Sequence, residues 1–287
     1  MGKNVLVGGA WPYANNSLHL GHLAGLISGD ILARYHRQIG DNVLYVSGTD
    51  CHGTPITQRA KKEGKTPKEI CEHYHNEFSE TFEKMSFSYD LYSKTDDDYH
   101  AKKVQELFMK LYNNGYIYEK LEPQAFCPKC NKFLQDREIQ IVCPECGEVT
   151  KADQCDKCSH VPTLEEMSSG VCMECSTNTV KKDNKNLYFA LSKFQEEIQK
   201  NTDRNKNKWR TNAQNETEKY LKQGLVDRAV TRDLSWGIDI PLSGYEDKKM
   251  YVWIDAVLGY LTDTMKLSET KNISWEDFWK QGNNNKI

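Results

Sequence analysis

Four C-x-x-C pairs stand in the middle of the chain: Cys127/Cys130, Cys143/Cys146, Cys155/Cys158 and Cys172/Cys175. Each pair sets two thiolates on one tight turn, and two such turns complete a tetrahedral zinc site, so eight sulfurs predict two zinc ions. Successive pairs are separated by 12, 8 and 13 residues. That nesting predicts that Cys143, Cys146, Cys155 and Cys158 share one metal, and that Cys127, Cys130, Cys172 and Cys175 share the other. Four thiolates leave no open position, so both zincs would be structural. A redox dithiol needs a single C-x-x-C opening a helix in a βαβ unit, and four in succession do not fit.

A second group of residues suits phosphate and cation chemistry. His19-Leu20-Gly21-His22 follows a short apolar run and a turn, where a helix begins. A helix N-terminus offers free N–H groups and a positive dipole end to phosphates, and Gly21 lets a nucleotide approach the backbone. Two histidines three apart share a helix face; the plainer alternative is a surface pair beside a packing glycine. Asp50 ends the next apolar run, placed either to bind a cationic group or to cap the following helix. Cys51 beside it reads as an unpaired packing thiol. Further on, Trp253, Ala256 and Tyr260 share a helical or turn face, as pocket lining or as ordinary core. Arg232 could pair with a carboxylate in a site or on the surface.

These residues need a scaffold. Val5–Val7 reads as a strand, Gly8, Gly9 and Pro12 as a turn, and Ser17 as an N-cap. Leu20, Leu23, Ile27 and Ile31 recur at helical spacing, with Gly40 as the stop. A strand at 43–46, a helix at 67–85, a strand at 90–93 and a helix at 97–114 follow. Short strands alternating with helices argue for a parallel, doubly wound sheet. The alternation breaks near 116. Helical signal returns at about 190–200 and 211–223 around a polar linker, 201–210, and 250–254 reads as a resumed strand. The expected organisation is α/β: a Rossmann-type domain at 1–115 and 231–287, split by a zinc-binding insertion at 116–230. The Asn-rich tail at 282–286 reads as frayed.

Composition narrows the function. The chain has 287 residues, with 38 basic against 41 acidic side chains and a net charge of −3. That excludes a nucleic-acid binder relying on global basic charge, though not a local patch. Residues 181–222 carry eleven basic and six acidic side chains, a solvated face or a surface for a phosphate backbone. No apolar run reaches the ~18 residues of a spanning helix. The N-terminus lacks the pattern of a secretory signal, so cytoplasm is the expected compartment.

Taken together, the motifs resemble class I aminoacyl-tRNA synthetases, and within that class the methionyl-tRNA synthetases. HLGH is similar to the HxGH signature. AWPYANNSLHLGH, DCHGTPI, AVTRDLSWGIDIP and YVWIDAVLGY resemble, in order, the methionyl family's motifs, and the doubled C-x-x-C set resembles its connective peptide. The resemblance implies ATP-dependent activation of methionine, ATP entering with Mg²⁺ as substrate, and transfer to the acceptor end of tRNA(Met). His19, Gly21 and His22 would contact ATP, the two histidines stabilising the pentavalent phosphorus. Ala10, Trp11, Tyr13, Trp253, Ala256 and Tyr260 would form the methionine pocket. Asp50 would hold its ammonium, with Arg232 organising the same site. Family members often carry Pro where this chain has Val257. The family's second nucleotide-binding half, KMSKS loop and anticodon-binding domain are not among the 287 residues. The sheet is therefore expected to be incomplete and activity weak or absent; the alternative is a non-catalytic zinc-containing RNA- or protein-binding paralogue.

Overall fold

A computed structural model describes residues 2–160 and 162–280, and the backbone of 285–286. The chain divides into two compact units, Met1–Leu111 with Leu234–Ile287, and Tyr112–Asp233.

In the first unit β1 (Asn4–Gly8) leads to α1 (Leu20–Gln38), β2 (Asn42–Thr49), α2 (Thr54–Glu63), α3 (Pro67–Lys84), β3 (Leu91–Lys94) and α4 (Asp98–Asn113). All strand pairings of the sheet are parallel. Alternation along the strands explains why both faces are covered. Val5, Val7, Val43 and Tyr45 pack with Ala33 of α1 on one side. Leu6, Leu44 and Val46 pack on the other with Leu267 and Phe278, from the returning segment.

Several expectations need correcting. Helix α1 is capped by His19 rather than Ser17. Its buried residues are Leu26, Asp30 and Ala33, whereas Leu20, Ile27 and Ile31 are exposed. Asp30 takes the inner face because it accepts from the Ser88 backbone and hydroxyl at 2.6 Å and from Arg34 at 2.6 Å. Helix α2, with Pro in its first turn, was not legible in the sequence. Cys51 is not a free thiol: it is bonded to Cys71 of α3, their Cα atoms 5.4 Å apart.

The second unit is mostly antiparallel. Strands β4 (Ile117–Cys127) and β9 (Val180–Phe189) form a long ladder, from Ile117↔Phe189 to Phe126↔Val180. It is flanked by β5 (Lys132–Phe133) and β10 (Arg228–Ala229). A smaller sheet orders β7 (Val149–Lys151), β6 (Ile139–Val142) and β8 (Val171–Cys172), with the short α5 (Leu164–Met167) nearby. Helix α6 (Gln195–Asn205) takes up half of the expected linker, α7 (Thr211–Gln223) lies where helix was expected, and β11 (Thr231–Arg232) closes the unit.

The returning segment brings β12 (Lys249–Met250), α8 (Val252–Thr270), α9 (Glu276–Trp279) and β13 (Asn285–Lys286). The sheet of the first unit is ordered β13-β1-β2-β3. Residues 252–254 thus begin a helix rather than end a strand. Of the expected frayed tail, 282–284 lie outside the described residues, and Asn285 and Lys286 pair with Val5 and Leu6.

Candidate functional site

The turn after β1 continues the ladder with β2. Gly9 donates to Val46 at 2.8 Å, Asp50 to the Pro12 carbonyl at 2.9 Å, and Ala14 to the Asp50 carbonyl at 2.9 Å. Tyr13 and Asp50 therefore face each other in a parallel bridge. This lies at the carboxyl ends of the strands, where open α/β sheets bind ligands.

Asp50 is not a helix cap. The N-cap of α2 is Gly53, without a side-chain cap bond. The Asp50 carboxylate is buried, and its Oδ1 accepts from the His52 backbone at 3.4 Å. Burial, reinforced by the negative charge of Asp255, pushes Asp50 up to about 7, against a weaker opposing pull from His52. Burial and the Asp50 charge likewise raise the Tyr13 and Tyr260 hydroxyls.

Trp11 lies edge-on to Tyr260, ring centroids 6.0 Å apart. Glycines make room for it: a Cβ at Gly48 would sit 2.6 Å from its ring and 2.8 Å from the Ser93 carbonyl, and one at Gly259 2.5 Å from the ring. Gly48→Ala should therefore lower stability by about 1–3 kcal/mol. Gly25→Ala, in α1 with open space around it, should be neutral or stabilising. Thermal unfolding of the two variants checks this; equal midpoints would show that Trp11 is not held there.

Ala256 is half-buried and Ala10 is exposed. Trp253 is 66% exposed, and Val257 is exposed too. At the other side of the turn, His19 and His22 cap α1 reciprocally. His19 Nδ1 accepts from Gly21 N–H at 3.1 Å, and His22 Nδ1 from His19 N–H at 3.3 Å. Their rings are 3.9 Å apart. Burial, then the neighbouring His19, lowers the His22 pKa. Arg232 belongs to the second unit, where it donates to the Ala229 and Thr231 carbonyls at 3.2 and 2.9 Å.

Sequence reasoning gave no role to the residues behind the wall. Asp255 is fully buried; Oδ2 meets His52 Nδ1 at 2.6 Å and Oδ1 meets His100 Nε2 at 2.8 Å. These contacts join residues 203 and 155 positions apart, which no local pattern reveals.

In the second unit the cysteines gather as the nesting predicts. Cys127, Cys130, Cys172 and Cys175 form one quartet, and Cys143, Cys146, Cys155 and Cys158 the other, each with its sulfurs within 4.8 Å. Sulfur pairs stand at 3.4, 3.9, 3.6 and 3.6 Å, against the ~3.8 Å of a tetrahedron with Zn–S bonds near 2.3 Å. The residue after each second cysteine is left-handed: Asn131, Gly147, Ser159 and Ser176. Those turns aim backbone N–H groups inward. The amides of Cys158 and Lys157 lower the Cys155 thiol, while crowding by neighbouring thiols raises Cys130 and Cys158. The four-sulfur donor sets and their spacing fit tetrahedral metal ions.

No helix among the described residues is long and apolar enough to cross a membrane. A family profile described as tRNA synthetases class I (M) matches residues 5–287. The chain is 53% identical to "Methionine--tRNA ligase 1" of Alkaliphilus oremlandii over 278 residues, 97% of this chain and 52% of that protein. It is 49% identical to the "Methionine--tRNA ligase" of Bacillus mycoides over 96% of this chain and 51% of that protein. The chain thus spans about half the length of the curated relatives it matches. Among solved structures it is similar to Mycobacterium tuberculosis methionyl-tRNA synthetase in complex with methionyl-adenylate. The TM-score is 0.71 at 23% identity, covering 97% of this chain and 50% of that one; at that identity the likeness concerns the fold.

Proposed function

The chain belongs to the methionyl class I tRNA synthetases, and we propose that its first unit provides the methionine site and the phosphate-binding turn for ATP-dependent activation of methionine. In that reaction a carboxylate oxygen of methionine attacks the α-phosphorus of ATP, pyrophosphate leaves, and the methionyl group passes from the adenylate to tRNA(Met). The carrying observation is the buried Asp50 carboxylate beside Tyr13 at the strand ends, within the same unit as the Trp11–Tyr260 wall.

In this reading Asp50 binds the ammonium of methionine. Ala10, Trp11, Tyr13, Trp253, Ala256 and Tyr260 line the thioether side chain. Sulfur–aromatic contact favours such a wall. His19 and His22 exchange their mutual capping bonds for contacts to ATP, and Gly21 lets the α-phosphate approach the backbone. Their contribution is charge stabilisation and positioning around the pentavalent phosphorus. Residues 116–230 serve as the connective insertion, each cysteine quartet holding one structural zinc.

Calorimetric titration of the chain with L-methionine tests the reading. One saturable site per chain is expected, with binding of L-alanine far weaker, because the apolar wall contributes roughly 1–3 kcal/mol for each buried methylene-sized group. A titration showing no saturable methionine binding would sink it.

A further inference from the structure

The proposed pocket has two halves that come from distant parts of the sequence. The charge-binding half is the segment 50–52, after β2. The side-chain half includes Ala256 and Tyr260, on α8. One buried carboxylate touches both. Asp255 stands on α8 between Trp253 and Ala256, and its Oδ2 holds His52 Nδ1 at 2.6 Å. His52 in turn donates its backbone N–H to Asp50 Oδ1. The second oxygen of Asp255 is fixed by His100 from α4, whose other ring nitrogen meets the Thr262 hydroxyl at 2.7 Å.

The backbone of 50–52 is otherwise fully engaged. Cys51 N–H donates to Thr95 Oγ1 at 2.9 Å, the Cys51 carbonyl accepts from Trp236 Nε1 at 2.7 Å, and the His52 carbonyl accepts from the Tyr13 hydroxyl. Asp255 adds the one bond in this set that reaches α8. Burial works against a charged His52, but the Asp255 charge and hydrogen bond outweigh it and hold His52 raised, while Asp255 itself is held low. The result is a buried, charge-assisted clamp, short and directional.

We propose that Asp255 is a positioning residue for the ammonium end of the methionine site: acting through His52, it fixes the Asp50 carboxylate relative to the helix that bears Ala256 and Tyr260. The inference rests on Asp50 taking the ammonium. Asp255 lies behind the wall and touches no ligand in this scheme. Its effect is geometric, and displacement of a binding group by about 1 Å can cost on the order of a hundredfold.

The test compares Asp255→Asn with the unaltered chain, using methionine and its desamino analogue, 4-(methylthio)butanoate, titrated by NMR to millimolar concentration. Asn keeps the shape but satisfies only one imidazole as before. Methionine affinity should fall about ten- to a hundredfold, affinity for the desamino ligand should stay within about twofold, and the protein should remain folded by circular dichroism. Should Asp255→Asn fail to fold, His52→Gln, which keeps the backbone N–H to Asp50 and loses the clamp, carries the same comparison. Undiminished methionine affinity in the variant overturns the inference alone. Equal losses for both ligands also overturn it, since a merely structural residue would loosen the whole pocket. If the unaltered chain binds the two ligands equally, or binds no methionine, the Asp50 reading fails and the inference falls with it.

Discussion

Removal of metal from the cysteine quartets should unfold the small sheet of the second unit while the parallel sheet of the first stays intact. Each quartet draws four thiols together within 4.8 Å. Without a cation, ionising them crowds like charges, and leaving them neutral forfeits the bonds that close the turns. A structural zinc supplies an apparent ~10–16 kcal/mol at pH 7 in small zinc-dependent domains, more than the apolar core of so small a sheet can replace. The core there is thin: Ala125, Leu134, Ile139, Ile141 and Ala152 pack directly against Cys127 and Cys172. Metal analysis of protein purified without chelator should approach two zincs per chain. A strong chelator should then abolish hydrogen-exchange protection in β6–β8 but not in β1 and β2. Cys172→Ser should be more damaging than Cys158→Ser, because Cys172 is buried in β8 and Cys158 is exposed. Metal content near zero with protection unchanged would end the zinc assignment.

What could be read from the sequence was what is local in it. Two sulfurs on one turn are a spacing, and the nesting of four turns needs no three-dimensional information. The strand–turn–helix around His19 and His22 was legible for the same reason, from a β-branched run, glycines and a periodic helix. The exposed stripe Leu20, Ile27 and Ile31 shows the limit of that logic. Periodicity identified the helix but not which face is covered, since the inner face is set by Asp30 and its partner Ser88, 58 positions away. Asp255 carries no legible role within YVWIDAVLGY, because its meaning lies in His52 and His100. Cys51 reads as a lone thiol in the sequence for the same reason: its partner Cys71 carries no motif, and only the fold brings the two together.

Methionine binding should weaken as pH falls below about 7, and Asp50→Asn should both remove that dependence and nearly abolish binding. Asp50 is pushed up to about 7 by burial and then by Asp255. Its other titratable neighbours are His52, raised by the Asp255 charge and hydrogen bond against the effect of burial, and the Tyr13 and Tyr260 hydroxyls, both raised and therefore neutral. An ammonium pairs with the carboxylate, not with the carboxylic acid. Below pH 7 binding must expel a proton, so affinity should drop toward tenfold per unit, with proton release detectable as a buffer-dependent enthalpy. Above 7 it should level off, until the ligand's own amine loses its proton. The sign for folding is the reverse. A carboxyl whose folded pKa is raised contributes stability that is fully present below the unfolded value near 4 and is lost as pH rises through about 7. Ligand-free protein should therefore lose stability over that window, and bound methionine should restore it. Asn at 50 keeps the shape without the charge, and loss of one partner of a buried ion pair costs about 2–5 kcal/mol, at least roughly thirtyfold in affinity. Tight, pH-independent binding by the unaltered chain would move the ammonium off Asp50.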